Sequence, residues 1–165
     1  MDVDLFYTAD AGEFREFVAK KLTETYEVRV RDRGMLPVFD RAFDPARRQF
    51  HALVLLDYLA RCIVSDTALW VVDRDMYCGN LNFVFGLAMY HIAAVVSTFR
   101  VDTAGMVAKE AIHETGHILG LQHCPNRCVM RFSESLEDAL EKPDSLCAQC
   151  RKILNRKLVQ PGVPM

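Results

Sequence analysis

The run His113-Glu114-Thr115-Gly116-His117-Ile118-Leu119-Gly120-Leu121-Gln122-His123 constrains local structure more tightly than any other stretch of this 165-residue chain. Residues four apart stack on one face of a helix, so His113 and His117 can present two imidazoles to a single ion. Glu114 follows His113 about 100° round the helix, within reach of a water at that ion without being forced to ligate it. A continued helix would carry position 123 far along the axis. Gly120 permits a break through positive φ that folds His123 back as a third ligand. Three neutral imidazoles with an open fourth position describe a catalytic zinc, whose bound water has a pKa of about 7. Glu114 then reads as the general base for attack on a carbonyl. Shuffling the chain's own composition would produce the full pattern roughly once in a hundred thousand trials, so coincidence is a poor rival.

Directly after His123 comes Cys124, and Cys128, Cys147 and Cys150 complete a C-x3-C…C-x2-C set. Four thiolates with no vacancy describe a closed, structural zinc site. Pro125 and Asn126 suit the turn of the first knuckle. The second pair opens a helical segment whose amides favour thiolate charge. Two disulfides, free thiols or an iron–sulfur cluster are the alternatives. The start Met1-Asp2-Val3-Asp4-Leu5 has no basic n-region before an apolar h-region and no Arg-rich transit character. A cytoplasmic location is therefore expected, where thiols stay reduced and metal binding is favoured. The expectation is two zinc ions per chain, one catalytic and one structural. The histidine site should be the more easily emptied, because three imidazoles of pKa about 6.5 meet protons in mild acid, whereas four soft thiolates hold zinc more firmly. Since Cys124 adjoins His123, the two sites should be mechanically coupled.

Composition removes other classes. Twenty Lys and Arg against 22 Asp and Glu leave a net charge of −2, which argues against a nucleic-acid partner. No apolar run approaches the roughly 20 residues that span a bilayer. A hydrophobic content of 51% argues against disorder. Period-2 and period-3.6 patterns predict a strand at 2–7, a helix at 12–25, a strand around Val28 and Val30, and a loop from Gly34 to Phe43. Asp44-Pro45 predicts a helix start, with the helix running to Cys62. Strands are expected at Ala68–Val72, Leu81–Leu87 and Ile92–Phe99, the last two as a hairpin or as neighbours. A helix capped by Asp102 or Thr103 should reach Leu119, with shorter helices near 134–141 and 147–158. The pattern is α/β (α+β): a sheet with helices packed against it in one domain, 1–165. Within it, 1–120 forms an upper part with the sheet and long helix, and 121–165 forms a small cysteine-bearing lower part.

The elongated histidine motif resembles that of the metzincin metallopeptidases, in which a methionine turn lies beneath the catalytic ion; Met130, seven residues after His123, is the candidate. Its fusion with Cys124, Cys128, Met130, Cys147 and Cys150 resembles the archaemetzincins specifically. So do Leu81-Asn82-Phe83-Val84-Phe85-Gly86 and Ala94-Val95-Val96-Ser97 ahead of the motif helix. The resemblance is closest over about 81–150. It implies a metzincin-like twisted mixed sheet, a long active-site helix, a small lower subdomain with a four-cysteine zinc site, and zinc-dependent hydrolysis of peptide bonds. Some metzincins carry a tyrosine two residues after the Met-turn methionine. Phe132 stands there in this chain, so that position offers no phenol to a tetrahedral intermediate, and Arg131 reads as an exposed arginine before it reads as an oxyanion donor. A slow peptidase is the expectation.

The expected partner is a peptide or protein substrate extended along a sheet edge around 81–99, with no nucleic acid, no membrane and a monomeric protein. The alternative is a zinc-stabilised module that binds a peptide or protein with little or no catalysis. Cys62 reads as core, Cys78 as a loop cysteine able to approach the cleft, and His51 and His91 as ordinary, partly buried histidines. The Arg151, Lys152, Arg156 and Lys157 cluster reads as a solvated helix face.

Overall fold

In the computed structural model, which describes residues 1–101 and 103–159, the chain forms a five-stranded mixed sheet in the order β2-β1-β5-β8-β7. Its strands are β1 (Asp2–Tyr7), β2 (Arg29–Met35), β5 (Thr67–Val72), β7 (Gly86–Met89) and β8 (Ala93–Ser97). Every neighbouring pair is parallel except β7 with β8, an antiparallel hairpin that leaves β7 on the edge. A smaller sheet joins β3 (Phe43–Asp44), β4 (Gln49–His51) and β6 (Met76–Tyr77).

Parallel strands buried on both faces read as continuous apolar runs, and β5 (Thr-Ala-Leu-Trp-Val-Val) is buried throughout. Its side chains alternate between two cores. Leu69 and Val71 join Val3, Leu5, Ala94 and Val96 on one face. Ala68, Trp70 and Val72 join Phe6, Ala93 and Val95 on the other. The first face is covered by α1 (Arg15–Tyr26) and α3 (Ala104–Ile118), through Val18, Leu22, Val107, Ala111 and Ile112. The second is covered by α2 (Ala52–Ala60), through Leu55, Leu56 and Leu59. The short α4 (Leu136–Glu141) and α5 (Ala148–Val159) follow α3.

Several boundaries differ from the sequence expectation. No helix starts at Asp44. Its Oδ1 does accept the amides of Ala46 and Arg47, as an N-cap carboxylate would, but the chain turns back through Arg48 (φ 55) into β4. The helix begins eight residues later, at Ala52. The expected loop after Gly34 is partly strand: β2 extends to Met35, and a register shift opposite Leu5 and Phe6 accommodates Gly34 at φ 90. The expected strand Leu81–Leu87 contributes only its last two residues to β7, while Val84 makes an isolated bridge to Met76. Thr103 caps α3, its side chain accepting the Met106 amide; Asp102, the other candidate cap, lies outside the described residues.

Candidate active site

Helix α3 ends as the motif requires. Gly120 adopts φ 87, the Leu121 amide donates to Gly116 O at 2.9 Å, and the Gly120 amide donates to His117 O at 2.9 Å. This is the paired closure of a Schellman turn. The reversal returns His123 to the helix, and the ligand atoms of His113, His117 and His123 come within 4.8 Å of one another. Carbonyls set the tautomers. His113 Nδ1 donates to Val129 O at 2.7 Å and His117 Nδ1 to Leu121 O at 2.8 Å, leaving both Nε2 atoms unprotonated and facing each other at 3.2 Å. Tetrahedral zinc with N ligands at 2.0–2.1 Å requires a spacing of about 3.3 Å, so this pair fits the ion, with a His123 donor within 4.8 Å of both.

Burial drives the His113 imidazole well below its ordinary range, and that of His117 below it too. Both rings therefore stay neutral and ready to ligate even in mild acid. Burial also lowers His123, the exposed member of the set.

Glu114 is buried, only 6% exposed, on the cavity wall. Burial and the neighbouring Glu110 carboxyl push its pKa up to about 8, so it becomes a carboxylate at neutral pH only where positive charge is brought close. Its place is kept by the absence of a side chain at Gly86 on β7, where a Cβ would lie 2.7 Å from Glu114 Cγ and Oε1. Gly116 does the same for the methionine turn: a Cβ there would overlap Met130 Sδ and stand 2.8 Å from the Tyr26 hydroxyl, which donates to Ile112 O. Met130 is thus packed against α3 at Gly116, one residue before His117. Phe132, 48% exposed, sets its ring 5.0 Å from that of His123.

Cys124, Cys128, Cys147 and Cys150 form the second cluster, their sulfurs within 4.8 Å of one another. Cys124 and Cys147 Sγ are 3.7 Å apart, close to the roughly 3.8 Å that tetrahedral Zn–S bonds of 2.3 Å demand. The Cys150 amide, donating to Cys147 Sγ, pulls that thiol down to about 6, whereas burial raises Cys128 and Cys150. The clusters share backbone. The Cys124 amide donates to Met130 O, the Met130 amide donates to Cys128 Sγ, and Val129 O holds His113.

A cavity of about 410 Å³ opens beside the histidines, bounded by β7, the 81–85 segment and the chain after Met130. Cys78 lines it, realising the approach its loop position allowed. Cys62 is only partly buried at the second core rather than within it. His51 is half-buried, while His91 is exposed at φ 63 in the β7–β8 turn, a correction to its expected partial burial. Arg131 is exposed, as are Arg151, Lys152 and Arg156, while Lys157 Nζ reaches back to Gly120 O at 3.0 Å.

Sequence reasoning missed Glu110, Lys142, Ser133 and Tyr90, all of which line the cavity. Glu110 carried a signal, since it precedes Glu114 by one helical turn on the stripe that bears His113 and His117. Lys142 carried none, because it reaches α3 from 32 residues downstream to place Nζ 3.2 Å from Glu110 Oε1.

The model of peptidase family M54 matches residues 47–156. A relative named archaemetzincin, from Archaeoglobus fulgidus, is 40% identical over 145 residues, 82% of this chain and 87% of that one. The chain belongs to the archaemetzincin family of zinc metallopeptidases. The crystal structure of the Methanopyrus kandleri archaemetzincin superposes with a TM-score of 0.87 at 33% identity, covering 97% of this chain and 96% of that one. A zinc-dependent peptidase from Methanocorpusculum labreanum gives 0.81 at 27% identity, covering 93% and 100%. The archaemetzincin fold expected from the sequence, a mixed sheet with flanking helices, a histidine-bearing helix and a four-cysteine cluster, is the one observed. Among the described residues no helix is long and apolar enough to cross a membrane.

Proposed function

We propose that this archaemetzincin hydrolyses peptide bonds, with His113, His117 and His123 holding a catalytic zinc, Glu114 acting as general base, and Cys124, Cys128, Cys147 and Cys150 holding a structural zinc. The observation that carries the reading is the buried Glu114 carboxyl beside three convergent imidazoles, on the wall of a cavity that meets the edge strand β7. A site that only bound metal would have no use for a carboxyl desolvated at such cost. When bound at the histidines, zinc supplies a Lewis acid and a water acidified to a pKa of about 7. The carbonyls of Val129 and Leu121 fix the rings of His113 and His117. Glu114 takes the proton of the attacking water and returns it to the departing amine.

The free side of β7 offers main-chain groups for an extended substrate, and antiparallel addition is the stronger pairing. Because Gly86 touches Glu114 and Tyr90 flanks His117, β7 runs in the same sense as α3. A substrate antiparallel to β7 therefore enters at Tyr90 and places the residue after the hydrolysed bond in the cavity near Glu110. One catalytic unit spans the chain in this reading, with the sheet and α3 above the cleft and the segment after Gly120 below it.

Zinc-loaded protein should cut members of a mixed peptide library, and a chelator should stop it, with mass spectrometry of the products as readout. Binding without cleavage would favour the module reading. The packing at Gly86 provides a second test. Gly86→Ala should lower kcat about tenfold or more by displacing Glu114, since small misplacements of a catalytic group are costly. Zinc content by atomic absorption should stay unchanged. An unaltered kcat would show that the close fit of Gly86 to Glu114 does not matter to the chemistry.

A further inference from the structure

The cavity is lined by apolar side chains such as Leu81, Phe83 and Phe85 and by the polar Glu110, Ser133 and Lys142. Glu110 is 2% exposed and Lys142 is 5% exposed, yet both line it. Lys142 Nζ stands 3.2 Å from Glu110 Oε1 as an ion partner, and no other donor reaches that buried oxygen. Ser133 Oγ, on the same cavity, is likewise buried without a partner. The ammonium also has a donor to spare. Its contact with Arg131 O is long, at 3.5 Å, and the His113 Nδ1 atom 3.4 Å away has its own proton committed to Val129 O and cannot accept another. A buried carboxylate oxygen whose one neighbour is that ammonium and a buried hydroxyl without a partner thus line one cavity with a lysine that has a donor to spare, and a ligand that completes them gains free energy.

We propose that Glu110, Lys142 and Ser133 form a subsite selecting a carboxamide side chain, Gln or Asn, in the substrate residue that follows the hydrolysed bond. The pair carries one charge of each sign. A carboxylate side chain entering it would meet Glu110, and a cationic one would meet Lys142, each as a like charge in a poorly solvated place. An aliphatic side chain would leave the Ser133 hydroxyl without a partner and give the ion pair no further hydrogen bond. A carboxamide offers its oxygen to Lys142 or Ser133 and its NH2 to Glu110, completing the set with no charge buried. Sites built to hydrogen-bond a substrate group reject analogues lacking it far better than apolar sites reject an extra methylene.

This inference rests on the peptidase reading, and binding separates the two. The probes are five hydroxamate-capped peptides, identical except that the residue after the hydroxamate is Gln, Asn, Leu, Glu or Lys. They are measured by fluorescence anisotropy against the zinc-loaded full chain. Gln and Asn should bind at least about tenfold more tightly than the other three. In Glu110→Leu/Lys142→Met, where both partners become apolar together and no lone charge is left buried, the order should invert to favour Leu. If that variant does not fold, Ser133→Ala serves, and the Gln-to-Leu ratio should fall severalfold. Leu, Glu or Lys binding the native protein as tightly as Gln would overturn the subsite while leaving the peptidase reading intact. An unchanged Gln preference in a folded Glu110→Leu/Lys142→Met protein would do the same. If none of the five binds zinc-verified protein, the site reading falls and the subsite with it.

Discussion

Glu114→Gln is expected to retain both metal ions and the melting temperature while lowering peptide hydrolysis at least about a hundredfold, the low end of what loss of a general base costs. Retention follows from the environment. Glu114 is buried with its pKa pushed up to about 8, so without a bound metal it is mostly a neutral acid at pH 7. Glutamine reproduces the shape and neutrality of that acid, and fits the space that Gly86 leaves open on β7. What glutamine cannot do is accept a proton. The effect should therefore fall on kcat, with peptide affinity little changed, since an interaction made only on the way to the transition state has been removed. The measurement is steady-state turnover of a peptide found in the library digest, using protein whose zinc content has been verified. Equal turnover in native protein and variant would remove Glu114 from the chemistry and leave the binding-module reading in its place.

How far the sequence disclosed this site depended on the range of each interaction. The three histidines and four cysteines were legible because a metal imposes fixed short spacings, and Gly120 because a helix that must fold back needs positive φ there. Asp44 misled because a carboxylate accepting the next amides is common to helix starts and to turns; what decides is where the chain goes afterwards. Leu81, Phe83 and Phe85 alternate like a strand, yet they line the cavity, and Leu81 is exposed. The apolar character of Leu81 belongs to a cleft wall, and that of Phe83 and Phe85 is shared between the cleft and the first core. Glu110 with Lys142 was out of reach, because a pairing across 32 residues leaves no local pattern.

The two metal clusters should differ sharply in what they contribute to the fold, and the burial of each ligand decides which variants can show it. His113→Ala is a poor probe: the ring is buried and donates to Val129 O, so truncation would open a cavity and orphan a carbonyl even without metal. His123 is the clean choice, because it is exposed. In zinc-free buffer, with the cysteine site still loaded, His123→Ala should move the melting temperature by no more than about 2 °C, as most surface substitutions do. Cys150→Ser should lower it by about 10 °C or more. Structural zinc sites contribute many kcal/mol, and each kcal/mol moves the midpoint of a domain this size by about 2–4 °C. The loss should also reach the histidines. Cys128 Sγ accepts the Met130 amide and the Cys124 amide donates to Met130 O, so release of the sulfurs frees the segment whose Val129 carbonyl orients His113 and whose Met130 side chain packs on Gly116. Zinc affinity at the histidines should therefore fall about tenfold or more in Cys150→Ser, within the range seen when groups supporting metal ligands are removed. Differential scanning calorimetry and competition with a zinc-binding dye measure the two effects. Comparable melting shifts in the two variants would contradict the division between a structural and a catalytic ion. A large shift in Cys150→Ser with unchanged affinity at the histidines would show that the shared segment from Cys124 to Met130 transmits nothing between them.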